Sequence, residues 1–244
     1  MQRFSLPPTT YSLTGLGFGF SAIAYKVVRA YCTSIQRRAC IILTVGVDKS
    51  WRPICAKHIS IQANLNFTFV PLTTEGFVHW AKSGSYVLTL NVETEIITEY
   101  LVPSSASSSC GGVYYLSAVK YLSMLIERGG WSWEVWEMKP ETGEWTQLPG
   151  IDLEDRMYEI FGGLREGDKP YRSFACIRRL LVPVGWLEYK EVLLYRLYCP
   201  RTRQRLSTCI AWNIRLKEFE FIELDSDLDG FFVHRNSLLW LDGC

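Results

Sequence analysis

The sequence has almost no charge imbalance: 26 Lys and Arg stand against 25 Asp and Glu, for a formal net charge of +1. A binder of nucleic acid or of an anionic membrane needs a basic footprint, so neither is an expected partner. Metal and redox spacings are missing too. The eight cysteines, Cys32, Cys40, Cys55, Cys110, Cys176, Cys199, Cys209 and Cys244, form no CxxC pair, and the three histidines, His58, His79 and His234, lie far apart in the chain. There is no G-x-S-x-G elbow and no cysteine-protease signature, so no catalytic residue, metal ligand or cofactor is expected. The opening MQRFSLPPTT lacks an apolar signal core, and no apolar run reaches the roughly 18 residues of a membrane span. These absences lead to a cytoplasmic or nuclear protein whose cysteines are free thiols.

What is present is aromatic and glycine-rich. Of 244 residues, 48% are hydrophobic, and nine Trp, thirteen Tyr and twelve Phe accompany 18 Gly, enough to bury a core of many short strands. Four segments share one pattern, an apolar strand, a short polar turn and a second strand: 39–54, 87–103, 135–150 and 210–224. Each predicts a hairpin. Gly143 supplies a residue tolerant of positive φ after Glu141-Thr142, and Asp48-Lys49-Ser50 offers an Asx-type turn.

The large residue after each turn marks a repeat. Trp51, Ile97, Trp145 and Phe219 are spaced by 46, 48 and 74 residues, and Phe4 stands 47 before Trp51. An interval near 47 is the length of one propeller blade, whereas a sandwich gives no reason for it. The expected fold is an all-β, kelch-like β-propeller over residues 1–244, incomplete, with four to five blades and a first blade entered part-way. The excess in the last interval is placed in 152–168, with a short helix within 152–162 because Leu153, Met157, Ile160 and Phe161 approximate a helical stripe. Glycine-led strands recur at Gly76 to Trp80, Gly111 to Tyr115 and Gly230 to His234, and crowding of inner strands is the expected reason for the missing Cβ. Pairing of 2–6 with 231–244 is expected to join the two ends.

Residues 15–31, GLGFGFSAIAYKVVRAY, resemble the glycine-aromatic stretch and Tyr-Lys-Val-Val strand of the F-box-associated domain of plant F-box proteins. Ser50-Trp51-Arg52, Gly76 to Trp80, 87–103 and 123–148 are similar to further strands of that family in the same order, and 123–148 is also kelch-like in its Gly-Gly, Glu-Thr-Gly and Trp placement. The resemblance implies the substrate-recognition part of an SCF-type ubiquitin ligase receptor, a non-catalytic module that binds a protein substrate. The F-box that would dock the SCF adaptor is not seen in the sequence, so an adaptor is expected only with an F-box in the full-length product. The rival expectation is a kelch-like scaffold with no link to ubiquitination.

Other motifs favour plain structural roles. Asp225 to Gly230 opens like a calcium loop, but Val233 and Asn236 fill its ninth and twelfth positions, so calcium is not expected. Gly15, Gly17 and Gly19 imitate a phosphate loop, yet Phe20 takes the third fingerprint position and a strand follows. Asn66-Phe67-Thr68 is a formal sequon read as β-strand, and Ser104 to Ser109 reads as a connector. Arg37-Arg38 and Arg201, Arg203 and Arg205 read as solvated hairpin tips. Trp131, Trp133 and Trp186 are open to either anchoring or packing, and substrate-binding residues are left unassigned.

Overall fold

The computed structural model describes residues 13–20, 24–32, 38–60, 63, 65–82, 85–107, 111–129, 131–157, 159–160, 181–187, 191–198 and 205–223. They are overwhelmingly β. The chain divides into two compact units, Met1–Asp155 and Arg156–Cys244.

The first unit contains three four-stranded antiparallel sheets, each a meander in which neighbours in sequence are neighbours in space. The first sheet is β1 (Leu13–Phe20), β2 (Tyr25–Cys32), β3 (Arg38–Thr44) and β4 (Arg52–Ile54). The second is β5 (Leu72–Thr74), β6 (Phe77–Ala81), β7 (Tyr86–Asn91) and β8 (Ile96–Leu101). The third is β9 (Val113–Ala118), β10 (Tyr121–Gly129), β11 (Ser132–Lys139) and β12 (Glu144–Asp152). Among the described residues, short helical turns lie at Leu65–Thr68, at α1 (Ser104–Ser107) and at Glu154–Arg156, and Ala63 is also helical.

Strand β7 shows how these sheets hold together. Its side chains alternate between faces, and four consecutive residues, Val87 to Leu90, are nonetheless all buried. Leu88 and Leu90 enter a core with Val28, Ala30 and Ile42 of the first sheet, while Val87 enters another with Leu122, Met124 and Met138 of the third. The second sheet is thus covered on both faces by its sequence neighbours. Ile59, Ala63 and Phe67, from the link between β4 and β5, complete the first of these cores, with the Phe67 ring set edge-on to Trp80 at 5.0 Å.

The second unit contains one described sheet, also an antiparallel meander: β13 (Leu181–Leu187), β14 (Val192–Tyr198), β15 (Arg205–Asn213) and β16 (Glu218–Glu223). Leu194, Cys209 and Ala211 form a core on one of its faces.

All four predicted hairpins are present, as the third and fourth strands of the four sheets. Ile97, Trp145 and Phe219 each stand second in the fourth strand, opposite Leu90, Met138 and Trp212. Trp51 comes just before β4, after a longer turn. Of the stretch 152–168, where the excess length is expected, Asp152 ends β12 and residues 158 and 161–168 lie outside the described residues. Met157, Glu159 and Ile160 there are helical.

Two local expectations need correction. Asn66 belongs to a helical turn rather than a strand, because its buried side chain donates to Tyr86 O at 2.7 Å and ties the turn to β7. Gly76 stands in the turn just before the second strand of its sheet, whereas Gly111 and Gly112 precede the first strand of theirs. An added Cβ at Gly76 would meet nothing within 4 Å; its φ of +77 is what demands glycine. At Gly111 close approach is the reason, since Glu127 O would lie 2.6 Å from a Cβ. Phe4, the 2–6 and 231–244 pairing, and the glycine-led strand at Gly230 lie outside the described residues. Cys40, Cys55 and Cys209 are free thiols. Among the described residues, no helix is long and apolar enough to cross a membrane.

Candidate functional site

Three of the third-to-fourth-strand hairpins use the same four-residue turn, ending on a residue in the left-handed region: Glu95 (φ 58), Gly143 (φ 73) and Lys217 (φ 56). In two of them an asparagine closes the preceding strand and caps the turn. Asn91 Oδ1 accepts from Glu93 N at 2.9 Å and Thr94 N at 3.0 Å, and Asn213 Oδ1 accepts from Arg215 N at 3.0 Å and Leu216 N at 2.9 Å.

Glutamate is an uncommon choice for a left-handed position, and the cations around Glu95 explain how it is kept. Arg52 clasps both carboxylate oxygens at 2.8 Å, and Lys26 Nζ donates to Oε1 and to Val92 O, each at 2.8 Å. Arg52 Nε also donates to Asp48 Oδ2 at 3.1 Å, and the same oxygen accepts Thr44 N at 2.7 Å. The Arg52 guanidinium, followed by Lys26, holds the Glu95 carboxyl down at about 2, and the Thr44 amide lowers Asp48. Two cations meet two anions, so the cluster leaves no charge for an outside ligand. It is a clasp joining the first two sheets.

Beyond the clasp, a groove of about 240 Å³ opens at the seam of the second and third sheets. One wall is the β6 to β8 face, with Phe77, Thr89, Asn91, Ile96, Thr98 and Tyr100, and Thr94 stands at the turn. The opposite wall is Pro140 and Glu141, in the β11–β12 turn. The Tyr100 hydroxyl donates to Pro140 O at 3.2 Å, and the Tyr100 ring lies against Gly143, where an added Cβ would collide with it. Trp145 Nε1 donates to Leu101 O at 2.9 Å, a second tie across the same seam. Ile96 is 57% exposed. Glu93, Glu141 and Glu144 are exposed and make no ion pair among the described residues, and Lys139 is the one cation on these two turns.

Behind the groove, fully buried His79 bridges three strands. Its Nε2 lies 2.8 Å from Thr74 Oγ1, and its Nδ1 lies 3.0 Å from Thr89 Oγ1. Burial pushes its pKa down to about 3, so the ring is neutral and a poor proton acceptor. It is a satisfied core group.

The remaining sequence candidates are not brought together. Gly15, Gly17 and Gly19 lie within strand β1, which opens no helix. His58 approaches Ile97 O at 2.6 Å, and His234 lies outside the described residues, as do Asp225 to Gly230, Arg37, Arg201 and Arg203. Arg38 and Arg205 begin strands β3 and β15. Trp131, Trp133 and Trp186 are at most 9% exposed and act in packing. Among the described residues, no group of three or more His, Cys, Asp or Glu is placed to hold a metal ion. Neither the clasp nor the groove was read from the sequence. The available signal was the alignment of Glu95 with Gly143 in the repeated turn.

No family model and no curated protein matches this chain. Among solved structures, the N-terminal domain of Nup159 is similar at 12% identity and a TM-score of 0.43, over 85% of this chain and 47% of that one. An S. cerevisiae complex of Dbp5 bound to Nup159, Gle1, IP6 and ADP contains a chain similar at 11% identity and a TM-score of 0.41, over 81% and 44%. A 644–1017 segment of HIRA is similar at 11% and 0.35, over 93% and 58%. The chain spans about half the length of the solved chains it matches.

Proposed function

We propose that this chain is a non-catalytic protein-interaction module built as a kelch-like β-propeller of four to five blades. The observation that carries the reading is β7, whose successive side chains enter two different cores because its sheet is packed between its two sequence neighbours. Small meander sheets that each need a neighbour on either face are the building principle of a propeller, and stacking makes a rigid base for exposed turns. The polar groups near those turns support a binding role over chemistry. Lys26, Arg52, Asp48 and Glu95 neutralise one another, and His79 is held between two hydroxyls.

Within that class, the finer reading is the substrate-recognition part of an SCF-type ubiquitin ligase receptor of the plant F-box type, with a protein substrate as partner. Its support is the resemblance at 15–31, 50–52, 76–80, 87–103 and 123–148, and the described residues of these stretches form or adjoin strands β1, β2, β4, β6 to β8 and β10 to β12. Isolation of the natural full-length product from its own cells tests this. The SCF adaptor and cullin are expected to co-purify with it; recovery of a protein partner without the adaptor favours the kelch-like scaffold instead.

A further inference from the structure

We propose that the groove between the β7–β8 and β11–β12 turns binds an extended segment of a partner protein that carries a lysine or arginine within two positions of an aliphatic side chain. The inference rests on the reading of the chain as an interaction module and adds the chemistry of its partner.

Size comes first. At about 240 Å³ the groove is below the roughly 300–1,000 Å³ of pockets that enclose small molecules, and it suits one or two side chains of a chain lying across it. Its lining then divides the occupant into parts. Ile96, more than half exposed, offers the apolar surface that fits an aliphatic side chain, and Pro140, itself buried, backs the opposite wall. The hydroxyls of Thr94 and Thr98 can give or take hydrogen bonds from an extended backbone.

Charge sets the sign of the remaining contact. Glu141 lines the groove, and Glu93 and Glu144 flank it from the same two turns, against Lys139 alone. The neighbouring cations Lys26 and Arg52 are spent on Glu95, so the groove presents free carboxylates and draws a cation. Its walls are also fixed before binding. The Glu95 clasp holds one turn, and Tyr100 donates to Pro140 O in the other, which limits the ordering cost of association.

A displayed library of random nonapeptides, panned on the full chain, provides the probe. Enriched sequences are expected to carry Lys or Arg within two positions of Leu, Ile or Val. The best binder, resynthesised with a fluorophore, is expected to lose about tenfold in affinity to Glu141→Lys, as reversal of one rim charge implies. Ile96→Ser is expected to weaken it as well, with thermal melts of both variants unchanged because both side chains are exposed. Absence of enrichment, enrichment without a basic residue, or a preference that survives Glu141→Lys overturns the groove. A natural partner retained equally by wild type and the Ile96→Ser, Glu141→Lys double variant also overturns it, and leaves the interaction-module reading standing. A wild-type chain that retains no protein at all overturns both.

Discussion

A fully buried histidine is restricted to one charge state, and His79 shows what that restriction costs. Its two ring nitrogens are matched to Thr74 and Thr89, so the neutral ring is satisfied and a second proton would have to be held in a dry, apolar setting. The unfolded chain takes up that proton near 6.5, whereas the folded chain refuses it until about 3. Between those values the unfolded state therefore binds more protons, and stability falls as the pH drops; above 6.5 the residue has no effect. The expected slope from His79 is about 1.4 kcal/mol per pH unit. Glu95 acts with the same sign but lower down, its contribution complete above 4.5 and lost as the pH falls toward about 2, so the range from 6.5 to 5 separates the two. Urea midpoints at pH 7, 6 and 5 are expected to decline in the wild type, with His79→Gln flatter by that slope. Equal slopes in the two proteins would show that the imidazole is protonated without penalty.

The hairpin turn is the element in which the sequence was most readable. An apolar strand, a polar break and a second apolar strand are contiguous, so all four hairpins follow from local pattern and turn chemistry. Residues joined through space are harder to read. The clasp unites Lys26, Arg52 and Glu95, and the groove unites Ile96 with Glu141, pairs whose meeting depends on how sheets stack and not on any local period. Asn66 and the role of Gly76 depend on features that apolar spacing does not score: Asn66 sits in a turn pinned by its side chain, and Gly76 is required by a positive φ rather than by crowding. The equivalent positions Gly143 and Lys217 yield effects of opposite sign. Lys217 is exposed at φ 56 and makes no ion pair among the described residues, so Lys217→Gly is expected to stabilise by about 1 kcal/mol through relief of the left-handed penalty. Gly143→Ala adds both that penalty and a collision with the Tyr100 ring, for an expected loss of about 2 kcal/mol or more. In a Tyr100→Ser background the collision is gone, and the cost of Gly143→Ala is expected to fall to about 1 kcal/mol. Additive losses in that cycle would mean that the ring and the turn are not in contact.

On the scale of the whole first unit, stability cannot be assigned sheet by sheet. The second sheet has no face of its own: Leu88 belongs to the core shared with the first sheet, and Val87, one residue away, to the core shared with the third. A four-stranded meander exposing either face would leave a row of apolar side chains in water, at roughly 1.5–3 kcal/mol for each large one. Loss of one seam therefore removes half the cover of the middle sheet and weakens the other seam with it. Leu88→Ala is expected to cost about 2–5 kcal/mol, as truncation of a fully buried leucine does. Its informative effect is on distribution. Hydrogen exchange followed by mass spectrometry is expected to show the slow amides of β10 and β11, in the third sheet, speeding up by the same free energy as those of β2 and β3, which the mutation faces directly. Leu122→Ala, on the other seam, is expected to act in mirror image, accelerating β2 and β3 as much as β10. If each substitution instead speeds exchange only in the sheets lining its own core, the seams open independently, and the stack is a set of separately stable layers rather than one cooperative body.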